Sequence, residues 1–188
     1  MIRATGFLRR LADRFAQRED GTATVEFVIM MPLFLAIFLA SFESGLLMTR
    51  NVLLERSLDM VVRDLRLGNF VDAEGNPVDP SHDMLKDAVC ARTVLFQDCG
   101  TSMRLELTRV STNNWELPSA AAPCADRDEP INLPDPLDVG VENELMLIRA
   151  CAIFDPIFPT TGIGLRIPKD DSGGYMLTAR SAFVNEPA

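Results

Sequence analysis

One histidine, His82, is all that the 188-residue sequence contains. A Cys-His or Ser-His-Asp set therefore has a single candidate base, and a metal site has few ligands to draw on. No C-x-x-C pair occurs, and neither G-x-x-x-x-G-K-[ST] nor G-x-G-x-x-G is there to cradle a phosphate. Asp and Glu are plentiful but scattered through polar stretches, where solvated surface is the default reading, and His82 beside Asp83 reads as a helix-start surface residue. The expectation is a non-enzyme with no catalytic residues, no cofactor and no metal. Basic residues are scarce as well, 18 against 27 acidic for a net charge of −9. Nucleic acid, whose phosphates call for a basic surface, is not expected as a partner.

The few basic residues are also unevenly placed. Residues 1–21 carry Arg3, Arg9, Arg10, Arg14 and Arg18 against Asp13, Glu19 and Asp20. The rest of the chain is thus more acidic than the total, which favours solubility. Mean hydropathy is only +0.10, yet the average hides a sharp contrast. Phe27 to Phe42 contains no charge and only Pro32 and Ser41 as interruptions.

That run admits three readings. A secretory signal would end in an A-x-A-like cleavage site after an apolar core of about 7–15 residues. Here the apolar stretch extends from Val25 to Met48, with only Glu26 and Glu43 charged, and passes directly into Thr49-Arg50-Asn51. A core helix would show one polar face, and this run shows none. A membrane crossing needs about 20 residues and fits. The arginine-bearing leader keeps the N-terminus cytoplasmic, because positive flanks stay inside. The domain expectation is a leader at 1–21, a transmembrane helix at 22–48 and an exported domain at 49–188. This is a single-pass protein of the inner (cytoplasmic) membrane with its C-terminal part in the periplasm.

Around the start of that run stands Glu19-Asp20-Gly21-Thr22-Ala23-Thr24-Val25-Glu26-Phe27. A basic leader ends in Gly, a Glu follows five residues later at the mouth of the apolar helix, and an aromatic comes next. The pattern resembles the type III signal of type IV pilins, and more closely the TadE-like proteins (TadE, TadF, TadG) of tight-adherence, or Flp-type, pilus systems. The likeness runs through "EDGTATVEFVIMMPLFL", returns faintly at Arg63, and recurs in the terminal "VNEP" from Val184 to Pro187. It implies a minor pilin or pseudopilin, cut by a prepilin peptidase between Gly21 and Thr22, with Glu26 as fifth mature residue. Its partners would be that peptidase, other pilin and pseudopilin subunits, the inner-membrane assembly platform and the lipid bilayer.

The residue types suit those roles. Glycine lets a protease approach the backbone closely. Cleavage would free an amine at Thr22, and Glu26 would stand within about 6 Å of it along the helix. A carboxylate in an apolar setting is costly unless paired. In pilin-like assembly the partner is the first-residue amine of a neighbouring subunit; the plainer reading is a helix-start carboxylate favoured by the macrodipole. Glu43, near the far end of the span, could pair with Arg50 two turns on, reach the interface, or meet a partner subunit. Pro32 inside the span permits a kink, which membrane helices tolerate.

Beyond the span, Leu54, Leu58, Val61, Val62 and Leu65 recur on one helical face, with charges elsewhere. The long helix is expected to continue as an amphipathic stem that ends at Gly68. Ser81 reads as the cap of a short second helix running towards Cys90. Three strand-like runs follow: Met103 to Val110, the almost wholly apolar Leu145 to Phe154, and the alternating Tyr175 to Val184. Between them lie two proline- and glycine-rich stretches, Pro118 to Pro136 and Asp155 to Gly174. All four cysteines fall after the span, so two disulfides are expected in an oxidising compartment. Cys90 and Cys99 flank a short connection and are paired here, which leaves Cys124 to tie its loop to Cys151. The fold class is α+β: a long N-terminal helix packed on a small antiparallel sheet, the broad pilin plan. A rival function is that of an anchored binding protein with an uncleaved span.

Overall fold

A computed structural model describes residues 22–93, 98–115, 117, 124, 139–159, 165–167, 169 and 172–185. The elements are a helix α1 (Thr22–Arg66), a helix α2 (His82–Ala91), a one-turn helix α3 (Cys99–Ser102), and strands β1 (Met103–Arg109), β2 (Leu145–Phe154) and β3 (Tyr175–Val184). The chain divides into two units, Met1–Phe42 and Glu43–Ala188.

The first unit contributes the apolar part of α1. A helix satisfies every interior N–H and C=O within itself, so it is one of the few structures that an apolar sequence can adopt in lipid. Helical structure runs through Pro32, and Ser41 turns its hydroxyl back onto the Ile37 carbonyl at 2.9 Å. Val25, Phe27, Val28, Ile29, Leu33, Phe34, Ile37 and Phe38 are all exposed. The stretch is apolar all round, and none of its most apolar part is buried in the protein. A soluble core helix would hide these side chains. Residues 22–42 rise about 31 Å at 1.5 Å each, close to the roughly 30 Å of a hydrocarbon core.

In the second unit the same helix becomes one-sided. Leu54, Leu58, Val61 and Val62 are buried, while Val52, Glu55, Arg56 and Asp59 are not. Each fully buried leucine or valine contributes at most about 1.5–3 kcal/mol, since the unfolded chain already hides part of it. The helix stops two residues before the expected glycine, and the glycine is the reason. Gly68 sits at φ +62°; its N–H bonds to the Leu65 carbonyl, and the Asn69 N–H to that of Asp64. That pair of bonds closes a Schellman cap, which needs a left-handed residue.

The sheet order is β1-β2-β3, antiparallel throughout. Met103 faces Ala152 across one ladder, and Phe154 faces Tyr175 across the other. Central β2 is almost continuously buried and β3 alternates, as their apolar patterns require. One sheet face, with Met103, Leu105, Met146, Ile148, Ala150, Tyr175, Leu177 and Phe183, shares a single core with the α1 stem and with Leu85 and Val89 of α2. The opposite face carries Arg149, held by Glu106 at 3.3 Å, and a small cluster of Cys124, Cys151 and Ile153. The arrangement is a long N-terminal helix with a three-stranded antiparallel sheet, an α+β fold. Strand β1 ends one residue before Val110, although the Val110 N–H still bonds to the Leu145 carbonyl at 2.8 Å.

Two short devices hold α2 in place. Ser81 caps it by accepting the Met84 N–H at 3.3 Å. His82, expected on the surface, is instead mostly buried, and its Nε2 donates to the Leu105 carbonyl at 3.1 Å. The imidazole thereby docks the helix onto β1.

Candidate functional site

Gly21, the residue expected to precede the cut, lies outside the described residues, as do the arginines of the leader. Thr22 is the first residue of α1. Four residues on, Glu26 stands exposed between exposed Val25 and Phe27. Among the described residues no donor or cation meets its carboxylate. A charge in an apolar stretch with no internal partner is a group that an external cation would stabilise. Phe27 is 61% exposed and is likewise not used in internal packing. Pro32 lies inside the helix six residues further on.

Glu43 has the opposite surroundings. It is the first residue of the second unit and only 1% exposed. Its Oε1 accepts the Ile157 N–H at 3.2 Å and the Tyr175 hydroxyl, and its Oε2 accepts the Phe158 N–H at 3.1 Å. Three donors offset the desolvation of the carboxylate. Burial first, and then the hydrogen bond and negative charge of Glu43, push the Tyr175 hydroxyl far above its ordinary pKa; the positive charge of Arg50 opposes this more weakly.

Of the three expectations for Glu43, the pairing with Arg50 is corrected: Glu43 opens the second unit, and its own chain fills both of its oxygens. Arg50 lies 5.1 Å from the centre of the Phe154 ring and donates to the Asp155 carbonyl at 3.5 Å. The carboxylate partners are 114, 115 and 132 residues away in sequence, so no local pattern could have named them. The one available signal was a charge that hydropathy could not account for.

Cys90 is bonded to Cys99, and Cys124 to Cys151, with Cα separations of 5.7 and 5.4 Å. The first bond joins α2 to α3, and the second ties a loop residue to the centre of β2. Of the terminal "VNEP", Val184 and Asn185 are described and the rest lies outside the described residues. Asn185 donates through Nδ2 to the Val139 carbonyl at 2.7 Å. Its backbone exchanges bonds with Asn143 and Glu144, so it closes the end of the sheet. A cavity of about 320 Å³ lies beside it, lined by Arg66, Phe70, Asp79 and Glu142 among others. Among the described residues no group of three or more His, Cys, Asp or Glu could hold a metal ion.

Residues 21–63 match the profile of one protein family, described as TadE-like protein. No curated protein and no solved structure matches the chain. The matched segment opens at the Gly21–Thr22 junction and takes in Glu26, the apolar run and most of the stem; the sheet domain lies beyond it. One apolar N-terminal helix compatible with a single-pass anchor, leading into an α+β unit, is the structure that goes with it. Over residues 21–63 this chain is similar to the TadE-like family.

Proposed function

We propose that the chain is a minor pilin or pseudopilin that takes part in assembly of a tight-adherence pilus. In this reading a prepilin peptidase cuts after Gly21, the apolar part of α1 holds the subunit in the inner membrane, and the sheet domain faces the periplasm. Its role is structural, and its chemistry is confined to being processed. Partners are the peptidase, neighbouring pilin-like subunits and the inner-membrane assembly platform.

One observation carries this reading: Glu26 stands in the apolar stretch without a partner among the described residues, four residues beyond the first residue of the helix, in the segment that matches the family. A new amine at Thr22 would be about 6 Å along the axis from a carboxylate at this position. Pairing with the amine of a neighbouring copy would satisfy both charges and set the axial offset between subunits. The fold supports the separation of roles, because Glu43, the next acidic residue along the helix, is consumed internally.

Substituting Gly21→Phe tests the processing step, since a bulky side chain blocks close approach of the protease to the backbone. The expected outcome is accumulation of an unprocessed form, larger by the leader, on a denaturing gel. Normal processing of that variant would overturn the assignment of the cut. Glu26→Gln should leave processing intact and abolish fibre production.

A further inference from the structure

Phe42 closes the first unit and Glu43 opens the second. The Glu43 carboxylate binds the backbone N–H groups of Ile157 and Phe158 at 3.2 and 3.1 Å. The loop after β2 is thus tied to the very residue that follows the apolar run.

The loop is built for a place that lacks water. Pro156 and Pro159 have no N–H to satisfy, and the N–H groups of Ile157 and Phe158 are both taken by Glu43. Four consecutive residues therefore present no unpaired backbone donor, which lowers the cost of approaching a medium poor in hydrogen-bond partners. The side chains agree. Ile157 is 49% exposed and Leu165, beyond the loop, is 68% exposed. Ten residues, Pro156 to Leu165, carry no charge in a chain that is 24% charged, so this stretch departs from the composition around it.

We propose that Pro156–Pro159 rests in the interfacial layer of the bilayer, with Ile157 inserted among the upper acyl chains as a second membrane contact beside the helix. The inference rests on the single-span reading above. The contact fixes which face the sheet domain turns to the membrane, and Glu43 is the group that holds the loop there.

Tryptophan quenching in vesicles tests it. The full chain carries one tryptophan, Trp115, which is 64% exposed. In a Trp115→Phe background, Ile157→Trp and Phe34→Trp chains are reconstituted into phosphatidylcholine–phosphatidylglycerol vesicles. Lipids brominated near the headgroup or deep in the acyl chain serve as quenchers, with iodide as the aqueous one. Ile157→Trp should be quenched at least twofold more by shallow bromines than native Trp115 is, and be shielded from iodide. Phe34→Trp should respond to deep bromines. If Phe34→Trp is quenched and Ile157→Trp answers only to iodide, or to neither quencher, the loop proposal is overturned while the span stands. If Phe34→Trp is not quenched, the span reading fails and the proposal with it. In the unsubstituted chain, a photoactivatable lipid should label the peptide containing Pro156–Pro159 as well as the span; labelling of the span alone counts against the proposal.

Discussion

Glu26 and Glu43 lie 17 residues apart on one helix and show how surroundings decide what a carboxylate does. Glu26 is exposed among apolar side chains and open to an external cation. Glu43 is sealed in and bonded to three donors of its own chain, so its energetic role is internal. Glu43→Ala would strand a buried hydroxyl and two part-buried N–H groups, at up to about 1–3 kcal/mol for each unsatisfied group. Tyr175→Phe removes only one bond to a charged acceptor and should cost about 1.5–3 kcal/mol. Denaturant unfolding of the detergent-solubilised full chain should rank them in that order, and equal stability of the Glu43→Ala chain would contradict the geometry. Tyr175 also offers a direct optical test, because it is the only tyrosine. Its folded-state pKa is raised, so its stabilising contribution is complete below the unfolded value of about 10 and is lost as pH rises beyond it. Near-ultraviolet titration should show no tyrosinate at about pH 10 in the native protein and a normal transition in denaturant. A native transition at the ordinary value would mean that the hydroxyl is not held by Glu43. In sequence, Glu26 is legible through its spacing from Gly21, because that relation is local. Glu43 is legible only as an anomaly.

At the level of elements, periodicity carries most of the information. The alternation from Tyr175 to Val184 and the apolar run from Leu145 to Phe154 mark β3 and β2 to their ends, since one strand is buried on one face and the other on both. The stem is legible through Leu54, Leu58 and Val61. Helix α3 is not, because four residues, Cys99–Ser102, are too few to show a period. Nor is the small bridge between Val71 and Pro77, which Asp72 organises by accepting the N–H groups of Glu74 and Asn76. The hydrogen bonds of Asn76 lower the Asp72 pKa, so the contribution of this carboxylate to the loop is present at neutral pH and is lost as pH falls through that lowered value. The disulfides differ in reach. Cys90–Cys99 closes 9 residues and Cys124–Cys151 closes 27. On the chain-entropy argument the first contributes about 2.5 kcal/mol and the second about 3.5 kcal/mol. Replacing each pair by serine and comparing unfolding midpoints should show the larger loss for Cys124/Cys151, which also gives up buried sulfur at the centre of β2. A larger loss for Cys90/Cys99 would contradict this ranking.

For the whole molecule, the decisive boundary lies between an exposed apolar run and a folded unit with a core. Hydropathy extends the run to Met48, whereas packing divides the chain at Phe42. The discrepancy has a simple cause: an apolar side chain that faces lipid and one that faces a protein core look alike in sequence. Leu47 packs against the core cluster, while Met48 one residue on is 61% exposed. The division of labour is legible from charge, with arginines before the run and a net acidic body after it. The proposed function turns on the chain losing its arginine-bearing head, for only then does an amine appear beside Glu26. Mass spectrometry of the N-terminal peptide, from protein purified out of native membranes, reads this directly. A peptide beginning at Thr22 is the predicted result, and a peptide beginning at Met1 or Ile2 would contradict it.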